Sequence, residues 1–333
     1  MKTRRPLLPA LALLLLPLSS RAEPVVTDVV AKQRYPWNGK VDITCTVSGF
    51  EETASGWKFF VKAVDPDSGD ATTVSHVQVM RDGVASNDLK VQANGNYRLV
   101  WDASADLGEV VCSNMVVRVE VIERKVQLWE GGPYWAETNI GAENPEDYGL
   151  YFWWGDTVGY RREGSAWVAS DGSSQNFSFG SGNTPTYGAS KASLQNEGWI
   201  TADGVLASAH DAAQAHWGGS WRMPTFAELS ALNGNCDWLW TTRNGVNGYV
   251  VRGRGDFKAS SIFLPAAGYG YGTSLDRAGS YGYYWSSVPY NSFSYTTQYL
   301  FFYSNYYSDK HCTYEDGSRD YGQSVRPVQG FAQ

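Results

Sequence analysis

Histidine and cysteine are scarce in this chain of 333 residues, with four of each. The histidines are His76, His210, His216 and His311. His210 and His216 are close in sequence, but six residues along a helix turn them roughly 120° apart. A shared metal needs an i,i+4 pair, so no metal held by histidine is expected. The cysteines Cys45, Cys112, Cys236 and Cys312 form no CxxC pair, which removes zinc ribbons and thioredoxin-type motifs. Past the first twenty residues no apolar run is long enough to span a bilayer, so no membrane insertion is expected. Positive charge is also short, 27 basic residues against 34 acidic ones. That balance argues against nucleic acid or an anionic membrane surface as partner.

What is present begins with an export signal. Lys2, Arg4 and Arg5 precede an apolar stretch, Leu7 to Leu18, broken by Pro9 and Pro17. Ser20-Arg21-Ala22 places small residues at the two positions a signal peptidase reads. These features predict a Sec signal over residues 1–22, cleaved after Ala22, and a protein that is secreted, periplasmic or at the cell surface. No cysteine follows the cleavage site, so lipid attachment there is not expected. Loss of Lys2, Arg4, Arg5 and Arg21 leaves 23 basic residues against 34 acidic, a net charge of about −11. The chain holds 14 Trp, 21 Tyr and 35 Gly, enough aromatic surface to rule out a disordered composition.

Residues 23–123 read as an all-β unit. Val41, Ile43, Cys45 and Val47 alternate with polar residues, as do Trp57 to Ala63, Tyr97 to Trp101 and Met115 to Val121. Such period-2 runs between turn residues predict an antiparallel sandwich of the immunoglobulin or fibronectin type. Asn38-Gly39 and Asn94-Gly95 are expected hairpin turns. Glu123-Arg124-Lys125 marks a boundary, and residues 124–333 form a second domain rich in Trp, Tyr and Gly, without long clean strands. Helices are expected from about Ala207 to His216 and from Thr225, where Thr225 and Glu228 make a capping box and Gly234 offers a stop. Trp217 and Trp221 should be buried beside the second helix. Strands are expected at Ser260 to Ala266, Tyr283 to Ser287, Thr297 to Tyr303 and Ser324 to Val328, an α+β pattern.

The cysteines fall two to each unit, which allows one disulfide per unit in an oxidising compartment. Cys112 is out of phase with the inward face of its strand, so a Cys45–Cys112 bond needs a bulge or a loop. Cys236 and Cys312 either close a long loop or leave Cys236 as a buried thiol.

Residues 126–330 carry an ordered series of blocks. They run from Trp135-Ala136, Asn139-Ile140-Gly141-Ala142 and Trp154-Gly155-Asp156 to Trp217-Gly218-Gly219-Ser220-Trp221-Arg222-Met223-Pro224-Thr225. Then come Asn235-Cys236, Ile262-Phe263-Leu264-Pro265-Ala266-Ala267-Gly268, Gly282-Tyr283-Tyr284-Trp285-Ser286-Ser287 and Ser324-Val325-Arg326-Pro327-Val328. The series resembles the Fibrobacter succinogenes major paralogous domain family. The resemblance implies a C-type-lectin-like fold, distantly similar to formylglycine-generating enzymes, in exported bacterial proteins. Trp153 departs from the family pattern, which has a small residue there.

The lectin resemblance does not bring the calcium-dependent sugar site with it. The Glu-Pro-Asn and Trp-Asn-Asp triplets are missing, and Trp285-Ser286-Ser287 stands where the second would fall. No cofactor is expected, although calcium bound elsewhere by Asp and backbone oxygens stays open. Thiol chemistry would need two reactive cysteines. Cys236 and Cys312 are the only candidates in this domain, with Lys310 and His311 beside Cys312. Arg254-Gly255-Asp256 spells an adhesion tripeptide but reads as a polar turn. Asn176-Phe177-Ser178 is a glycosylation sequon that a bacterial protein would usually leave bare.

Binding is the stronger expectation. Between Gly268 and Tyr307 tyrosine recurs eleven times. Tyrosine offers flat amphipathic surface at low conformational cost, although many such rings serve only to pack loops. Tyr283 and Trp285 read as core. Tyr269, Tyr271 and Tyr281 flank Gly-rich turns near Asp276 and Arg277, and these five form the expected ligand surface. The chain therefore reads as an exported, non-catalytic binding or surface-display protein for a carbohydrate or protein ligand. The alternatives are a thiol enzyme of the formylglycine-generating type and a structural envelope protein.

Overall fold

The computed structural model describes residues 24–36, 38–50, 57–66, 69, 71–87, 89–108, 115–123, 125–290, 293–304 and 309–330. Residues 1–22, the expected signal, and Cys112, Tyr306 and Tyr307 lie outside these residues.

The first eight strands are β1 (Val25–Gln33), β2 (Lys40–Ser48), β3 (Trp57–Val64), β4 (Ala71–Thr73), β5 (Val77–Arg81), β6 (Val84–Ser86), β7 (Gly95–Asp102) and β8 (Val116–Glu123). A short helix α1 (Ala103–Leu107) follows β7. The strands make two antiparallel sheets, in the orders β1-β2-β7-β5-β6 and β4-β3-β8. Alternation points Ile43, Cys45, Val47, Leu99 and Trp101 of one sheet at Trp57, Phe59, Val61 and Val119 of the other, in one shared core. Cys45 belongs to that core. It is a free thiol, 3% exposed, and burial pushes it up to about 11. One turn expectation fails. Asn94 does not make a hairpin; its side chain clamps the backbone N–H and C=O of Phe50 at 2.7 and 2.6 Å.

The rest of the chain is also mostly strand. Its elements are β9 (Lys125–Gln127), β10 (Tyr134–Ala136), β11 (Tyr160–Glu163), β12 (Ala166–Ala169), α2 (Lys191–Asn196), α3 (Ala212–Trp217), β13 (Trp221–Arg222) and α4 (Phe226–Asn235). After them come β14 (Cys236–Arg243), β15 (Val246–Gly253), β16 (Ser261–Pro265), β17 (Tyr269–Tyr271), β18 (Ser274–Asp276), β19 (Tyr281–Pro289), β20 (Thr296–Ser304), β21 (Asp309–Ser318) and β22 (Val328–Gln329). Long strands were not expected here, yet β14 and β15 pair over eight residues each. Their turn is Asn244-Gly245, both at positive φ, which matches the twist of the hairpin. Ser324 to Val328 is not a continuous strand; only Val328 and Gln329 join a sheet.

Helix α4 starts as expected. The Thr225 hydroxyl accepts from the Glu228 N–H at 3.2 Å, and the Glu228 carboxylate accepts from the Thr225 N–H at 2.8 Å. Gly234 does not stop it, since the helix runs on to Asn235. The expected helix over 207–216 is divided: a 3-10 turn at Ser208–His210, then α3, capped by Asp211. Trp217 and Trp221 are buried edge-to-face at 5.1 Å with Ala136, apart from α4. The α4 residues Leu229 and Leu232 pack instead in a core with Tyr284, Leu300 and Phe302.

Blocks far apart in sequence are bonded to one another. Fully buried Arg326 donates to Asn139 Oδ1 and to the carbonyls of Ala136, Glu137 and Phe263, at 2.7 to 3.1 Å. Trp154 donates to the Ser286 carbonyl, and Trp285 to that of Phe152. Glu123, which ends β8, accepts from the Trp221 indole at 2.7 Å.

Candidate functional site

The β19–β20 pair separates two faces. One buries Gly282, Tyr284, Leu300 and Phe302 toward α4. The other carries Tyr281, Tyr283, Tyr299, Phe301 and Tyr303, all half-buried, and at its far end Trp285, fully buried in a core with Phe152 and Trp154. Period-2 alternation produces this split directly. Cross-strand register places Tyr281 opposite Tyr303 and Tyr283 opposite Phe301, with ring centroids 5.2 and 5.1 Å apart.

The β17–β18 hairpin extends the aromatic face. Tyr269 pairs with Asp276 and Tyr271 with Ser274, so these four share its outer side. Its inner side, Gly270 and Leu275, lies on the cluster around Trp167 and Phe179. A Cβ on Gly270 would meet the Phe179 ring at 2.5 Å, so only glycine lets the hairpin lie this close. Tyr269 contacts Tyr283 at 4.9 Å and stacks on Tyr321 at 5.6 Å. Tyr321 contacts Tyr271 at 5.1 Å, and Tyr271 is 47% exposed. An unbroken series of rings thus runs from Tyr271 to Tyr303.

Two charges stand beside this series. The Arg277 guanidinium lies over the Tyr281 ring at 5.1 Å. Burial raises the Tyr283 hydroxyl well above its usual range; Tyr269 and Tyr281 add to that and Arg277 opposes it. Burial also raises Tyr269, with Asp276 adding to it and Arg277 opposing it. The positive charge is therefore felt along Tyr269, Tyr281 and Tyr283, and the negative charge at Tyr269.

All five residues singled out from the sequence, Tyr269, Tyr271, Asp276, Arg277 and Tyr281, border this one face. Tyr283 is corrected: it lies on the outer face rather than in the core, while Trp285 is fully buried as expected. Tyr299, Phe301, Tyr303 and Tyr321 were missed as parts of the surface. Alternation of Tyr299, Phe301 and Tyr303 with Leu300 and Phe302 was the available signal, but both faces are aromatic and the pattern has no polar member.

The remaining candidates have structural settings. Cys236 is a free thiol, 2% exposed, among Tyr249, Val251 and Leu232, and burial pushes it up to about 11. The Cys312 side chain lies outside the described residues. Arg254 is tied to Asp237 and to the carbonyls of Gly234 and Cys236, which gives the tripeptide Arg254-Gly255-Asp256 a packing role. His210 stacks on Trp199 and His216 meets the edge of Phe152, so they serve separate contacts.

No curated protein and no solved structure matches the chain. Residues 238–328, which hold the whole aromatic face, are similar to a family described as a domain of unknown function (DUF8237).

Proposed function

We propose that this is an exported, non-catalytic binding or surface-display protein whose aromatic face holds a carbohydrate. In this reading residues 23–123 form an immunoglobulin-like or fibronectin-like spacer domain. Residues 124–333 form a C-type-lectin-like domain of the Fibrobacter succinogenes major paralogous type. Export rests on residues 1–22 alone. The domain assignment is supported by the ordered sequence blocks, by their mutual bonding through Arg326, Trp154 and Trp285, and by a first core drawn only from residues up to Val121.

The observation that carries the reading is the ring series from Tyr271 to Tyr303, partly exposed along the β17–β18 hairpin and the β19–β20 pair. Sugar rings present flat C–H faces that lie against aromatic faces, while their hydroxyls need polar groups at the edge. The face supplies rings together with Asp276 and Arg277. Against a thiol enzyme stands Cys236, buried and held largely as the unreactive thiol.

A glycan and peptide array probed with the protein lacking residues 1–22 tests the proposal. Binding to a glycan that Tyr283→Ala abolishes, with its melting temperature near that of the parent, is the expected result. Binding that survives this change, binding to peptides alone, or binding to nothing would overturn it.

A further inference from the structure

Arg277 is an unusual residue to find at its backbone position. Its φ is +63°, the left-handed region that side chains other than Gly, Asn and Asp rarely occupy. Neighbouring bonds hold it there. The N–H groups of Ser280 and Tyr281 both donate to the Arg277 carbonyl, at 3.1 and 3.0 Å. Gly279 is pinned on both sides, by the Ala266 carbonyl at 2.7 Å and the Asn247 side chain at 3.0 Å. The surrounding fold thus sustains a conformation that is unfavourable for a residue bearing a Cβ. Its visible effect is to lay the guanidinium on the Tyr281 ring.

The charge there is not consumed. Among the described residues no carboxylate forms an ion pair with Arg277, and Asp276, its chain neighbour, has no ion-pair partner either. A guanidinium stacked on a ring keeps its N–H edge open for a planar anion, which it can bind with two parallel hydrogen bonds. Asp276 lies across the hairpin from Tyr269 and can only accept hydrogen bonds, as from sugar hydroxyls. One face therefore offers an anion fork at its Tyr281–Tyr283 end and a hydroxyl acceptor at its Tyr269 end.

Resting on the carbohydrate reading above, we infer that the ligand is an acidic oligosaccharide. A uronate lies along the Tyr281–Tyr283 pair with its carboxylate on the open N–H edge of Arg277, and a neighbouring sugar beside Tyr269 donates a hydroxyl to Asp276. Arg277 is then the residue that sets specificity for acidic over neutral chains.

Paired probes test this: oligomers of galacturonate, glucuronate and mannuronate, each with its methyl ester, beside a panel of neutral glycans, in titration calorimetry. At least one acid form should bind about tenfold or more tighter than its ester, and added salt should narrow the gap. Arg277→Asn removes the guanidinium and tolerates the left-handed backbone, so the fold is kept. It should erase the preference for acid over ester while weak binding to both remains. Tyr283→Ala should remove binding of both forms. Equal binding of acid and ester, binding of neutral glycans only, or an acid preference that survives Arg277→Asn would overturn the inference and leave the carbohydrate reading standing. Binding of no glycan at all would overturn both.

Discussion

Gly282 in β19 stands directly opposite Phe302 in β20, and the phenyl ring rests on the bare glycine backbone. A Cβ at position 282 would lie 2.1 Å from Phe302 Cζ. The ring is fully buried and has no room to retreat. Gly282→Ala should therefore cost about 1–3 kcal/mol, the usual price of overpacking. Urea denaturation would measure it, and a Gly282→Ala/Phe302→Leu double variant should recover part of the loss. An unchanged midpoint in the single variant would contradict the account.

Arg326 makes a second demand on the fold. Its guanidinium is buried with four acceptors around it, and desolvation lowers it to about 10, still charged at neutral pH. Arg326→Met would leave the Ala136, Glu137 and Phe263 carbonyls in a dry site without a donor. Each such orphan costs about 1–3 kcal/mol, so a loss of at least about 3 kcal/mol is expected. Equilibrium denaturation with two spectroscopic probes would show whether the variant folds at all.

Asp156 should make stability depend on pH in an uncommon direction. Its oxygens accept from the Val158 and Gly159 N–H groups at 3.0 and 2.9 Å, yet burial wins and pushes its carboxyl up to about 6. The folded state then holds this proton more tightly than the unfolded chain does. Its contribution is complete below about pH 4 and is lost as pH rises through about 6. Melting temperatures across that window, compared between the parent and Asp156→Asn, isolate the effect. A carboxyl that titrates near pH 4 in an infrared titration would refute it.

Cys236 should resist alkylation in the native protein. Its thiol is buried and pushed up to about 11, so the reactive thiolate is rare at pH 8. Iodoacetamide should label it only after denaturant is added. Mass spectrometry of the native, unreduced protein would locate the label, and rapid native labelling would revive thiol chemistry as a function.

Much of the fold could be read from the chain because the signals are local. The period-2 runs from Val41 to Val121 give two sheets over one core, and Thr225 with Glu228 starts α4. The β14–β15 hairpin was readable too, in Asn244-Gly245, but the Trp238 and Trp240 around it look like loop packing. The Ser324 to Val328 segment looked like a strand because Val325 and Val328 are apolar. In the structure Arg326 takes up carbonyls that a regular ladder would have used.

The candidate face divides the same way. Residue type and spacing by themselves determined that Tyr269, Tyr271, Asp276, Arg277 and Tyr281 lie near one Gly-rich turn, since turn chemistry involves only neighbouring residues. Tertiary structure decided which rings are surface and which are core. Tyr283 and Tyr284 are adjacent in sequence and alike in chemistry, yet one is half-exposed and the other fully buried. The difference comes from what covers each side of the sheet: Leu229 and Leu232 of α4 pack in the core that holds Tyr284, while on the opposite face Trp285 is buried in a core with Phe152 and Trp154 and Tyr283, two residues before it, stays half-buried. No local pattern holds that information, because the helix that sets it lies some fifty residues away in the chain.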